Sequence, residues 1–348
     1  MIDPSTLRAM VQLLDDPDLD VSLAVESRLM QEGESVIDEL EALWLNNEFP
    51  EASRYIELVV NKIQKRLLHQ RFTNWFEQEQ PDLIEGWVMV TQLQYPGIKL
   101  VDVKRQLNDI KLDAWLLMGN VENDLDRIQI LNHVFFEQYG FHGDTSQYHY
   151  PDNSFINRVL ERKTGNPISL SAIYLSVAQH LGLPVFGVNL PQHFVVGLCK
   201  IGEAYAGVKN IKLVPLDEVE KVIFYINPYS KGQIFTKENV DSFLKVVNVT
   251  PIRQFYMPCS VQDIIKRMLR NLHYSFGEAQ DKSKRAEVAE LMRILLKAHD
   301  FDWPEAWEIV QSCCSFTNHT VLKESLEEWN QNRLKSLLPS QYAIIERM

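Results

Sequence analysis

An α+β protein in which helix predominates is the fold class this sequence predicts, and three observations predict it. The first is one helix, 166–182, that is apolar nearly all round. The second is a set of short apolar runs just after it, at 185–188, 194–199 and 222–226. The third is a series of amphipathic helical stripes on either side of that core. An all-round apolar helix must be buried, and short apolar runs bounded by turns read as strands laid against it. The layout that follows is an N-terminal helical subdomain over 1–80, a core over 81–250 and a C-terminal helical region over 251–348.

The central helix is marked at both ends. Asn166 is a good N-cap, and Pro167 suits the first helical position, where a missing N–H costs nothing. Gly182 fits a left-handed C-terminal position, and Pro184 stops the helix. Between them Ile168, Leu170, Ala172, Ile173, Leu175, Val177, Ala178 and Leu181 cover most of the circumference.

Composition narrows the function classes. The chain has 348 residues, with 45% apolar and 24% charged, which is ordinary for a globular protein. Its 35 basic and 47 acidic residues give a net charge of −12. That balance argues against nucleic acid as the main partner and against an anionic membrane surface. No apolar run approaches the ~20 residues that span a bilayer. The opening MIDPSTLRAMVQLLDD has neither a basic n-region nor a continuous apolar stretch, so it does not read as a secretory signal. The cysteines at 199, 259, 313 and 314 form no disulfide framework or zinc spacing. A cytoplasmic protein is expected.

Taken in order, Leu7, Met10, Val11 and Leu14 form one helical stripe, broken by Asp15-Asp16-Pro17-Asp18. Val21, Ala24, Val25 and Leu29 form the next, and a third helix runs through Val36, Ile37, Leu40 and Leu43. The pair is similar to a HEAT-like hairpin, but one unit is not a repeat array. Tyr55, Ile56, Val59, Ile63 and Leu67 mark a fourth helix. Trp75, Phe76, Trp87 and Trp115 are expected in the core, where large aromatics at helical spacing usually lie. A helix over 125–139 leads to a loop, 140–151, that carries His142 and His149. That loop is either a binding lid or a connector packed by its aromatics. Residues 200–220 read as a variable hairpin or loop. Helices resume at Val261 and continue through 288–295, 303–310 and 321–337, by analogy a tetratricopeptide-like tail.

The core carries a resemblance. Asn157, Val159, Leu160, Arg162, Gly165, Pro167, Ile168, Ser169 and Leu170 form the first part of a pattern. Leu181-Gly182-Leu183 and then Asn189, Leu190, Pro191, His193 and Phe194 complete it. This pattern resembles the SirB-type branch of the transglutaminase-like superfamily, closely here and more weakly over about 81–232. The resemblance implies a papain-like core: a buried helix against a small antiparallel sheet, with Cys at the helix start, His on the next strand and Asp on the strand after.

Laid onto this chain, the resemblance makes His193 the base. Asn227, at a strand end before Pro228, becomes the orienting residue, and Asn can fill that role in Cys-His-Asn sites. The nucleophile position, two residues after Gly165, is Pro167, which has no nucleophile. Cys199 lies six residues beyond His193, roughly 20 Å along an extended strand. The expected protein is therefore a non-catalytic one that binds a protein or peptide in a degenerate cleft. Asn166, Pro167, Ser171, Gln192 and His149 are its candidate cleft residues. The alternative is a hydrolase or acyltransferase using Ser169 with His193 and Asn227. Ser169 reads equally as a hydroxyl bonded to nearby backbone. His142 and His149 with Asp144 and Asp152 match no metal spacing, and no Gly-rich phosphate loop is present. Neither a metal nor a cofactor is expected.

Overall fold

The computed structural model describes residues 2–298 apart from 206 and 209, with side chains to residue 293. Helices α1 (Pro4–Gln12), α2 (Leu19–Glu32), α3 (Ile37–Leu45) and α4 (Ser53–Phe76) form the N-terminal layer. Asp3 caps α1 by accepting from the Ser5 and Thr6 N–H groups, and Asp18 caps α2 through the Asp20 N–H. These carboxylates satisfy donors that have no partner within their helices. The apolar stripes meet in one core around Leu7, Val11, Leu29, Leu40, Ile56 and Ile63.

Helices α5 (Leu83–Gln92), α6 (Leu100–Met118) and α7 (Asp124–Asn132) come next, and a π-helical turn at His133–Gln138 continues α7. Trp75, Phe76 and Trp87 are buried, but Trp115 is 58% exposed, against expectation. The reason is helix phase. α6 buries Val103, Leu107, Ile110, Ala114 and Met118, and Trp115, one residue past Ala114, is turned about 100° away from that stripe.

The loop that carries His149 is shaped more tightly than a plain connector. Its start, β1 (His142–Gly143), pairs in parallel with β2 (Thr164–Gly165). Between them lies α8 (Ile156–Arg162). Helix α9 (Pro167–His180) follows, and every residue from Pro167 to Ala178 is buried. Asn166 caps it through the Ser169 N–H at 3.0 Å. Beside α9 stands a four-stranded antiparallel sheet in the order β3 (Val185–Leu190), β4 (His193–Ile201), β5 (Val219–Asn227), β6 (Gln233–Phe235). The segment between β4 and β5 holds short 3₁₀ turns rather than a hairpin.

Helix α10 (Lys237–Val246) packs beneath the sheet through Val240 and Leu244. Helices α11 (Val261–Glu278) and α12 (Lys282–Ala298) form an antiparallel pair. α11 lies against α5 and α9, and α12 reaches back to α4. The expected helices at 303–310 and 321–337, with Cys313 and Cys314, lie outside the described residues.

Candidate functional site

Strand register brings His193 and Asn227 together. β3 and β4 are joined by the two-residue turn Pro191-Gln192, with Leu190 opposite His193. Gln192 takes φ +56, a left-handed conformation that glycine adopts more readily and that costs other residues about 1–3 kcal/mol. β4 and β5 run antiparallel with Val196 opposite Ile226, so His193 lies two residues beyond the position opposite Asn227, on the same face as that position. The Asn227 side chain lies close enough to the His193 ring to act on its protonation. Its Oδ1 accepts from the Tyr229 and Ser230 N–H groups at 3.1 and 3.3 Å. Asn227 is thereby fixed by the turn that follows it. Burial pushes the His193 imidazole below its usual range and Arg267 lowers it further, while the nearby Asn227 side chain works the other way.

His193 borders a cavity of about 220 Å³ between the start of α9, the β3–β4 turn, the His149 loop and α11. Asn166, Pro167, Gln192 and His149 line it with His193, so five of the residues singled out from sequence meet at one place. Asn227 stands behind His193. Ser169 and Ser171 do not line the cavity. The Ser169 hydroxyl donates to the Asn166 carbonyl at 3.0 Å. It also packs so close to Gly165 that a Cβ there would come within 2.5 Å of its Oγ. This is the backbone-bonded alternative for Ser169, and it explains why glycine precedes the helix at 165. Ser171 is fully buried, with its hydroxyl unpaired.

Neither described cysteine lines this cavity. Cys199 is buried on β4, where burial pushes its thiol up to about 12. Cys259 precedes α11, and burial raises its thiol as well.

The His149 loop is braced by a polar network. Asp144 Oδ1 accepts from the Ser146 and Gln147 N–H groups at 3.1 and 2.8 Å. Its Oδ2 accepts from Asn153 at 3.1 Å and from Arg162 at 3.3 Å. Tyr229 donates to the Asp144 carbonyl at 2.7 Å, which ties the loop to the turn after Asn227. Gly143 is required here, because a Cβ would come within 2.5 Å of the Tyr229 ring. His149 then sits against Tyr274, their ring centroids 4.7 Å apart. His142 faces elsewhere, held by the Gly140 carbonyl and Thr164. Asp144 and Asp152 are engaged by arginines. Among the described residues no group of three or more His, Cys, Asp and Glu side chains converges.

Sequence reasoning missed the wall supplied by α11. Arg267, Asn271, Tyr274 and Ser275 all border the cavity. The apolar period of α11 reports Ile264, Ile265, Met268, Leu269 and Leu272 as its buried stripe, and nothing in that period marks the flanking polar residues. Tyr148, beside His149, was also missed. The aromatic loop containing it was the one available signal.

Comparison with known proteins adds family context. Residues 101–270 match the sequence profile of the transglutaminase-like superfamily, so the chain carries a transglutaminase-like domain there. Residues 252–348 match the profile of carbohydrate phosphorylases. The two matches overlap on α11. A UPF0162 protein of Xylella fastidiosa is 29% identical over 170 residues, covering 47% of this chain and 54% of that protein. F-box only protein 21 of Homo sapiens is 27% identical over 220 residues, 56% of this chain and 33% of the relative. Glycogen phosphorylase of Synechocystis is 38% identical over 98 residues, 26% of this chain and 12% of the enzyme. The chain thus spans about half the length, or less, of the curated relatives it matches. No solved structure matches it. No described helix is long and apolar enough to cross a membrane.

Proposed function

We propose that this chain is a non-catalytic transglutaminase-like protein that binds a protein or peptide segment in the cleft beside His193. One observation carries the reading. Pro167, which has no nucleophile, lines that cleft at the first turn of α9, together with His193. A papain-like mechanism needs a thiol activated by a helix N-terminus and an adjacent His, and neither described cysteine lines the cleft. Ser169, the hydroxyl nearest Pro167 in sequence, is spent on the Asn166 carbonyl. What remains is a small concave site with aromatic and polar walls, the kind of surface that takes a side chain or a chain end. The names UPF0162 and F-box only protein 21 state no reaction, and the reading takes none from them. The phosphorylase likeness covers 12% of the Synechocystis enzyme, too little of that enzyme to argue phosphorolysis.

The test is peptide selection from a displayed random library against the intact chain, followed by affinity measurement with synthetic peptides. Asn271→Trp, which fills the cleft from α11, is expected to abolish binding while leaving the unfolding midpoint near wild type. Undiminished binding to Asn271→Trp would place the peptide elsewhere and overturn the reading. Labelling by a fluorophosphonate probe that is lost in Ser169→Ala would replace it with a serine hydrolase.

A further inference from the structure

Among the described residues that line the cleft beside His193, Arg267 on α11 carries the one permanent charge and there is no Asp or Glu. Arg267 Nη1 donates to the Leu190 carbonyl at 2.6 Å and to Asn189 Oδ1. Both acceptors are neutral. Nη2 and Nε donate to no group among the described residues. Three other part-buried arginines are matched by carboxylates, Arg158 with Asp152, Arg162 with Asp144 and Arg127 with Asp124, while Arg285 donates to the imidazole of His273. The contrast is sharp in a chain with 47 acidic and 35 basic residues. A half-buried cation facing only neutral acceptors is poorly compensated, and burial pushes Arg267 below the usual guanidinium range.

We propose that this cleft is a carboxylate-binding site, in which Arg267 pairs with the C-terminal carboxylate of a bound peptide. The proposal rests on the peptide-cleft reading above and adds the group that is recognised. A free Nη2–Nε edge matches one planar, two-oxygen acceptor with one negative charge. A phosphate dianion would call for a second cation, and burial disfavours the charged form of His193. The positive end of α9 points to the same cavity through Asn166 and Pro167, which favours an anion there. The volume, about 220 Å³, admits one terminal residue rather than a long segment. Ile168, Phe194 and Tyr274 supply apolar surface for its side chain.

The test is titration of the intact chain with N-acetyl-Ala-Phe, its C-terminal amide, sodium acetate and inorganic phosphate, read by saturation-transfer NMR. The acid dipeptide is expected to bind at least about tenfold more tightly than the amide, the scale of one charge-assisted pair. Arg267→Gln should bring the acid down to the affinity of the amide in the same variant. Because Arg267 also braces β3, the acid–amide comparison on the wild type decides the matter even if that variant misfolds. Equal binding of acid and amide would overturn carboxylate recognition and leave the peptide cleft standing. Acetate as tight as the dipeptide would support a carboxylate site but overturn the peptide as its source. Phosphate displacing the dipeptide better than acetate does would overturn the choice of carboxylate. Failure of every probe to bind below about 10 mM would overturn the proposal outright.

Discussion

Pro167 stands where the helix dipole and two cleft side chains would act on a thiol, and that makes the position testable one residue at a time. Pro167→Cys places a thiol at the first turn of α9, in the cavity shared with His193 and Arg267. Losing the proline should be tolerated, since Asn166 still caps the helix. The burial that raises Cys199 and Cys259 would raise this thiol as well. The helix terminus, the guanidinium and an imidazole able to take the proton all favour thiolate. The new thiol should therefore titrate well below the ordinary ~8.5, in the ~3.5–7.5 range of activated cysteines. His193→Ala and Arg267→Gln in the same background should each raise it. Asn227→Ala should do so more weakly, by removing the neighbour that favours the charged imidazole. The measurement is iodoacetamide reactivity against pH, resolved by peptide mass spectrometry. Cys199, pushed up to about 12, should stay silent below pH 8. An introduced thiol indifferent to both His193 and Arg267 would refute the cleft geometry.

Helix α9 is the element on which the site is built, and its burial can be graded along its length. Ile173 is 0% exposed, whereas Leu175 is 3% exposed and borders a second cavity of about 270 Å³. Large-to-small changes in a packed core cost about 2–5 kcal/mol, and the cost grows with the void left behind. Ile173→Ala should fall toward the top of that range. Leu175→Ala should fall toward the bottom, because its surroundings are already loose. Urea unfolding of the two variants decides this, and the reverse order would mean the packing around α9 is misread. This element was the most legible in the sequence, because its cap, proline and left-handed glycine act locally and its apolar residues leave no solvent face. The strands β3 and β4 were legible for the same reason. The approach of His193 to Asn227 was available only through the family pattern, since it depends on strand register. The α11 wall was invisible: Arg267 and Asn271 flank an apolar stripe, and sequence period cannot say what the polar flank of a helix faces. Trp115 misled for a related reason, because aromatic size says nothing of helix phase.

At the scale of the whole molecule, histidines on separate elements make folding sensitive to acid. His69 on α4, His180 on α9, His193 on β4 and His273 on α11 are all held below the ordinary imidazole range, in each case first by burial. His273 is the extreme, lowered to about 4 by burial and by the neighbouring Arg285. The hydrogen bond explains the sign. Arg285 Nε donates to His273 Nε2 at 3.1 Å, so that nitrogen must stay unprotonated, and a proton there would oppose the guanidinium. An imidazole whose folded pKa lies below its unfolded value takes up protons on unfolding between the two. The unfolded state then gains stability relative to the folded state as pH falls from about 6.5 toward about 4. Stability should be fully present above pH 7 and decline through that window. His273 alone accounts for on the order of 3 kcal/mol of the decline. The carboxylates act later. For Asp82 and Asp144 burial raises the pKa, but Lys212 and the Glu85 N–H at Asp82, and the Gln147, Asn153 and Ser146 donors at Asp144, outweigh it and hold both below the usual range, so their stabilisation is lost only below the ordinary carboxylate pKa. His273→Gln keeps an acceptor for Arg285 without a titrating ring. Its unfolding free energy should lose up to one proton's worth of slope between pH 4 and 6.5. Urea unfolding of wild type and variant across pH 4 to 7.5 measures that slope directly. If the two curves ran parallel through the window, the α11–α12 contact would not be the acid-sensitive joint of the fold.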